Sequence, residues 1–305
     1  MKHFGLRSQL AVVALLLLRC DPAVPATRPV VLPPKVVSSP VLYGQFDPEQ
    51  HYAFTAVVAL QAPSFAPTGI IDCPQLSDAA RVQIQTAYVE ALQSGLQSVL
   101  LAHGYTLTGP FADREQMTYG EKEKAILLIQ PRVTFACTCE SLNETIFSQG
   151  TEDAGTVRGK PVGAVPVGGV VVPIAPKLDL VKHRTIVRIN GQARVRTRLE
   201  LAMVEPVTGE KMWLKALETA LEAKPYEYYE ERDAFEVTWP PLYRGPYDNP
   251  TAFILEGYDA RLNVIAMALA GIRRQQLRQF EQYVAPAEIT QVIADAQKVR
   301  QLKRY

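Results

Sequence analysis

The stretch Arg194-Val195-Arg196-Thr197-Arg198-Leu199-Glu200-Leu201-Ala202-Met203-Val204, running into Glu205-Pro206-Val207-Thr208-Gly209-Glu210, decides the fold of this chain. Val195, Thr197, Leu199, Leu201 and Met203 occupy every second position, with Arg194, Arg196, Arg198 and Glu200 between them. A period of two is the geometry of a strand with one buried face and one charged face. The Pro-Val-Thr-Gly segment makes a tight turn, and Met212 to Leu221 returns as the partner strand. The fold class is therefore α+β. A mixed or antiparallel sheet carries the Thr185–Leu221 hairpin, and long helices cover it.

Working outward, Ile186 to Ile189 has apolar residues on both faces, and Asn190-Gly191 reads as a turn inside the longer run. Before the hairpin, Ser77 and Asp78 can cap a helix over about 78–103. Val82, Val89, Leu92, Leu96 and Val99 recur in it at helical spacing, and Gly104 stops it. Tyr105-Thr106-Leu107 is a short strand, and the polar stretch 112–124 a second helix. Ala125 to Ile129 is a buried strand continuing to about Cys139, where Pro131 signals an edge or bulge. His51 to Leu60 reads as a first strand. After the hairpin, a helix is expected over about 251–284, with Leu262, Ile265, Leu269, Ile272, Phe280 and Val284 on one stripe. Pro286 breaks it, and Ile289, Val292, Ala296 and Val299 form a C-terminal helix over 286–305.

Two segments depart from this pattern. Between Lys160 and Lys177 there is no charged residue, only Pro, Gly, Val, Ala and Ile. That composition reads as a hairpin or loop, and it also suits entry into a membrane or a neighbouring subunit. Deleting 160–177 is expected to leave folding intact and to abolish assembly. Residues 225–250 are rich in proline and aromatics and read as a loop. Tyr226, Tyr228, Trp239 and Tyr243 are candidate ligand-binding residues, because exposed rings stack on sugars or anchor protein partners. Arg194, Arg196 and Arg198 are candidates for binding an anion beside them.

The N-terminus fixes an expected compartment. Lys2 and Arg7 precede an unbroken apolar run from Leu10 to Leu18, and Cys20 follows. The run is shorter than the roughly 20 residues that span a bilayer as a helix, so residues 1–20 read as an export signal. Lipidation at Cys20 would make the chain a bacterial lipoprotein. Cleavage after Ala26 would release a soluble periplasmic protein. Residues 21–50, with Pro33-Pro34, Pro40 and Pro48, read as an extended tether, and 51–285 as one α+β envelope domain.

The balance of 32 basic and 31 acidic residues, net +1, gives no field suited to nucleic acid. No nucleophile motif, paired metal-ligand spacing or phosphate loop is present, so the expectation is a non-enzyme without catalytic residues, metal or cofactor. In an oxidising compartment Cys73 is expected to bridge to Cys137 or to Cys139. Those two share a strand face at i, i+2 and are poorly placed to bond each other.

Several pieces then occur together in order. They are Gly104-Tyr105 after a long helix, Met117-Thr118-Tyr119 leading through Lys122 and Lys124 into the apolar strand, the Glu205–Glu210 turn, and C-terminal helices with a Lys/Arg-rich end. Over roughly residues 50–303 this resembles the neuraminyllactose-binding haemagglutinin (HpaA-type) lipoproteins. The resemblance implies an outer-membrane or surface lipoprotein, described as an adhesin, with a glycan as partner. The family's short basic run, Lys-Arg-Thr-Ile-Gln-Lys-Lys, has its nearest match in Lys182-His183-Arg184-Thr185-Ile186, which lacks the trailing lysines. The helix–Gly-Tyr–strand unit separately looks like the α/β modules of periplasmic assembly lipoproteins, whose partners are envelope proteins or further copies of themselves.

Overall fold

The computed structural model describes residues 27–35, 46–48, 56–65, 70–74, 76–159, 163–167, 170–174, 177–239, 245–246 and 251–302. The expected signal at 1–20, with Cys20, lies outside them, as do most of the tether and the start of the first strand. In chain order the strands are β1 (Val57–Gln61), β2 (Ser64–Phe65), β3 (Ile70–Asp72), β4 (Thr106–Phe111), β5 (Leu127–Arg158), β6 (Gly163–Val167), β7 (Val170–Ile174), β8 (Lys177–Val204), β9 (Lys211–Glu218), β10 (Glu222–Trp239), β11 (Gly245–Pro246) and β12 (Thr251–Asp259). The α-helices are α1 (Asp78–Ala102), α2 (Tyr119–Lys124), α3 (Arg261–Tyr283) and α4 (Pro286–Leu302).

The alternating stretch folds as its period requires. β8 pairs antiparallel with β9 in the register Arg198↔Glu218, Leu199↔Leu217, Leu201↔Lys215 and Met203↔Trp213. Val195, Thr197, Leu199, Leu201 and Met203 are all buried. The turn closes where expected. Glu205 N donates to Glu210 O at 2.8 Å, and Gly209 takes φ +76°, which a glycine adopts without steric cost. Asn190-Gly191, by contrast, is no turn, because β8 runs straight through it. Gly191 is there for close approach: a Cβ would lie 2.3 Å from the Tyr226 ring and 2.5 Å from Glu140 O.

The main sheet has ten strands in the order β11-β10-β8-β5-β1-β4, with β12 on β10, β9 on β8, and β2 and β3 on β5. It is mixed, since β1 runs parallel to both β4 and β5. Leu127, Leu128 and Ile129 are fully buried, as a strand apolar on both faces must be. Pro131 falls between the β1 pairing at 127–129 and the β2 pairing at 132–133, where a missing N–H costs that side of the ladder least. β6 and β7 form a separate two-stranded sheet.

The Ser77 hydroxyl caps α1, accepting from Ala80 N at 3.2 Å. Its packed face runs through Ile84, Tyr88, Leu92, Leu96 and Val99, whereas Val82 is 59% exposed. Steps of four residues rotate about 40° per turn, so the buried face drifts away from Val82 toward the N-terminus. Gly95 lets α3 approach, because a Cβ there would meet Leu277 at 2.3 Å. Tyr88 donates to Gln276 at 2.6 Å, and Gln276 donates to Thr197 at 2.8 Å, so one buried relay ties both helices to β8.

Three expected elements differ. The 112–124 stretch makes a short 3-10 turn at Arg114–Gln116 and then α2, whose Thr118/Glu121 capping box starts a new helix. The 251–284 helix begins only at Arg261. Residues 251–259 are β12, where the left-handed φ of +80° at Gly257 is incompatible with a helix. The aromatic loop at 225–250 is, up to Trp239, strand β10. Pro286 does break the helix, and it opens α4 from the first position, where its missing N–H is harmless.

The chain divides into two compact units. One comprises Met1–Lys35, Glu144–Arg188 and Tyr229–Tyr258, and the other Val36–Asn143, Ile189–Tyr228 and Asp259–Tyr305. In the first unit, Leu178, Leu180 and Val237 form a small core with Val157 against it. Part of the expected tether is built into that unit, with Arg28 and Thr151 exchanging backbone bonds of 2.9 and 3.1 Å. In the second unit, Ala59, Met117, Ala125, Leu128, Ala202 and Val204 form one apolar cluster.

Candidate functional site

The structure places the candidate residues Arg194, Arg196 and Arg198 on the outer face of β8, partly exposed. Cross-strand geometry then pairs each with a carboxylate. Arg194 reaches Glu140 at 3.2 Å, Arg196 reaches Glu218 at 3.5 Å, and Arg198 reaches Glu200 at 3.0 Å and Glu218 at 3.4 Å. A shallow groove of about 280 Å³ lies here, lined by Thr134, Ala136, Arg196, Thr197, Arg198 and Glu218. An anion entering it meets carboxylates beside every guanidinium. The face is thus a ladder of cross-strand ion pairs.

Among the described residues, the aromatic candidates are internal. Tyr226 and Tyr228 are 5% and 6% exposed, which removes them as a stacking platform. Their job is internal. The Arg261 guanidinium lies 4.3 Å from the Tyr228 ring centroid and forks onto Asp259 at 2.7 and 2.9 Å. Burial acts to lower the pKa of Arg261, and the Asp259 hydrogen bonds outweigh it and hold the pKa above the ordinary value. Burial likewise raises the Tyr226 phenol. Tyr243 and the Trp239 side chain lie outside the described residues.

The nearest match to the basic run is also neutralised within its own unit. Lys182 reaches Asp233 at 2.9 Å and Glu152 at 3.3 Å. Arg184 forks onto Glu231, and His183 meets Glu236 at 2.8 Å. The Asp233 hydrogen bond holds the Lys182 ammonium above its usual pKa, and the Glu231 hydrogen bond does the same for Arg184.

Between the two bridges left open by the sequence, the structure forms Cys73–Cys139. β3 runs parallel to β5 with Asp72 opposite Thr138, so Cys73 falls opposite Cys139. Cys137 stays a buried thiol, its Sγ 3.7 Å from that of Cys73, and burial pushes its pKa up to about 12. The three sulfurs lie within 4.8 Å of one another, close enough for a shared soft metal once reduced. In the bridged form two of the three are not thiolates.

The feature that spacing did not reveal is the grip on the Glu205–Glu210 turn. Arg300 of α4 donates to Glu205 at 2.7 Å and to Glu123 O and Ala125 O at 2.8 and 2.7 Å. Arg114 donates to Pro206 O and Val207 O, both at 2.8 Å. Burial would raise the Glu205 carboxyl, but hydrogen bonds from Thr208, Arg300 and Val207 prevail and hold it below the ordinary carboxylate value. The turn was legible; its two arginine partners lie far away in sequence and carry no local signal.

No protein-family model matches this chain, and no curated protein matches it. Among solved structures it is similar to a crystal structure described as a neuraminyllactose-binding hemagglutinin homolog from Helicobacter pylori. The two share 11% identity at a TM-score of 0.43, over 82% of this chain and 97% of that one. A likeness at this level transfers no residue role to this chain. None of the described helices is long and apolar enough to cross a membrane.

Proposed function

We propose that this chain is a non-enzymatic lipoprotein of the bacterial cell envelope, anchored through Cys20, that serves as a structural, protein-binding subunit of an outer-membrane or periplasmic assembly. The observation that carries the reading is the length of β5 and β8, 32 and 28 residues, against about 5–6 for an ordinary strand. Strands of that length build more β surface than one small core needs, and extended β surface is what neighbouring subunits use. The pairing of Arg194, Arg196 and Arg198 and the burial of Tyr226 and Tyr228 weigh against the alternative, a surface adhesin binding sialylated glycans.

The test is the mass of the mature N-terminus together with the native mass of the detergent-extracted protein. An acylated Cys20 in a complex larger than one chain is the expected result. A lipidated monomer that binds sialyllactose would replace this reading with the adhesin. A chain beginning at Thr27 would remove the anchor.

A further inference from the structure

β5 carries Cys137 and Cys139 two residues apart on one face, and Cys73 directly follows β3, which runs parallel beside it. The third sulfur of this group thus comes from a neighbouring strand, which no spacing along β5 reveals. All three cysteines are buried, with Cys73 and Cys137 at 0% exposure and Cys139 at 9%. Cys137 Sγ lies 3.7 Å from Cys73 Sγ, and the three sulfurs lie within 4.8 Å of one another. A metal ion about 2.3 Å from each of three sulfurs in one plane spaces them about 4 Å apart. Among the described residues, no histidine, carboxylate or fourth cysteine joins the group.

The bridge is not the only thing that holds Cys73 beside the other two. β3 is registered on β5 by Ile70↔Ala136, Ile71↔Cys137 and Asp72↔Thr138. Just past β3, Cys73 O accepts from Leu76 N at 3.2 Å and from Arg81 Nη2 at 3.4 Å, and Pro74 O accepts from Arg261. Backbone pairing and these donors keep the three sulfurs together when the bridge is opened. Three thiolates without a fourth ligand suit a soft ion that accepts trigonal coordination, and thiolate softness selects Cu(I). Structural Zn²⁺ takes four ligands, and burial keeps water from supplying the missing one. The Arg81 guanidinium at Cys73 O offsets part of the negative charge that three thiolates bring.

We propose that Cys73, Cys137 and Cys139, once the bridge is reduced, form a three-thiolate site for a soft monovalent cation of the Cu(I) kind. The bridge and the ion exclude each other. A dithiol reductant supplies the two electrons: its thiols close to a disulfide as the Cys73–Cys139 bond opens to two thiols. The ion then binds three thiolates, and their three protons leave to solvent. The site stands on the pairing of β3 with β5 and does not depend on the anchor at Cys20.

The experiment uses the full chain carrying Cys20→Ser, in which these three are the only cysteines. The chain is reduced with a water-soluble phosphine, which leaves as its oxide, then desalted under nitrogen. It is titrated with Cu(I) supplied as the bathocuproine disulfonate complex. The expected result is one Cu(I) taken up per chain, with three sulfur neighbours in X-ray absorption and a circular dichroism spectrum equal to that of the bridged chain. The bridged chain should take up none. Cys137→Ala keeps both bridge partners and should form the Cys73–Cys139 disulfide as the parent does. When reduced, it should lose roughly tenfold or more in Cu(I) affinity. No uptake, equal affinity in Cys137→Ala, uptake by the bridged chain, or loss of the folded spectrum on reduction would each overturn the site.

Discussion

Two hairpins of this chain share one grammar and differ in charge. The β8–β9 hairpin turns through Glu205–Glu210 and is held by Arg114 and Arg300, which reach its carbonyls and its buried carboxylate. The β6–β7 hairpin is bounded by glycines and prolines and brings no charged residue at all. Strand–turn–strand geometry is common to both. What differs is whether the turn carries groups that the rest of the chain can bind. A buried carboxylate demands a cation and so fixes its turn in one place; an uncharged stretch makes no such demand.

The sharpest way to break the comparison is at Arg300. Arg300→Ala leaves Glu205 buried without its cation and should cost about 3–5 kcal/mol, read as a fall in the urea midpoint. The same carboxylate makes the turn acid-sensitive. Its folded pKa lies below its unfolded value near 4.5, so its contribution is complete above that pH and is lost as pH falls through the folded value. Glu205→Gln should flatten that part of a stability–pH profile, whereas substitutions in β6–β7 should leave it in place.

Arg114→Ala removes two donors from the turn carbonyls and should cost about 1–3 kcal/mol by the same measurement. A smaller loss, about 1 kcal/mol, is expected for Gly209→Ala, which forces a Cβ onto a left-handed φ 3.0 Å from Arg114. The least effect belongs to the exposed ladder. Arg196→Ala should change stability by under about 0.5 kcal/mol, because a solvated pair is worth little. A large loss there would mean that the charged face of β8 holds the sheet together in its own right.

Much of the fold could be read in advance because its signals are local. The period of two over 195–203, the Ser77 cap, the turn at 205–210 and the break at Pro286 each depend on residues within a few positions. The same reading failed where a distant neighbour overrode it. Asn190-Gly191 has turn composition, yet Tyr226 crosses at Gly191 and keeps the strand straight. The aromatics of 226–229 have loop composition, yet they pack into a strand, and Tyr228 lies against a buried arginine. The candidate site was half legible. The arginines were placed on the right face, but their pairing with Glu140 and Glu218 depends on strands that meet only in the folded sheet.

Spacing along the chain therefore settled the buried face of β8, the turn into β9, the helix that Ser77 caps and the break at Pro286, since backbone geometry repeats every two or 3.6 residues. Pairing was settled by the folded chain. The parallel register of β3 on β5 put Cys73 opposite Cys139 and not Cys137. The crossing of α4 near the β8–β9 turn gave Glu205 its arginine. Both join residues more than sixty positions apart, with separations of 66 and 95, and nothing in a local pattern specifies a partner at that distance.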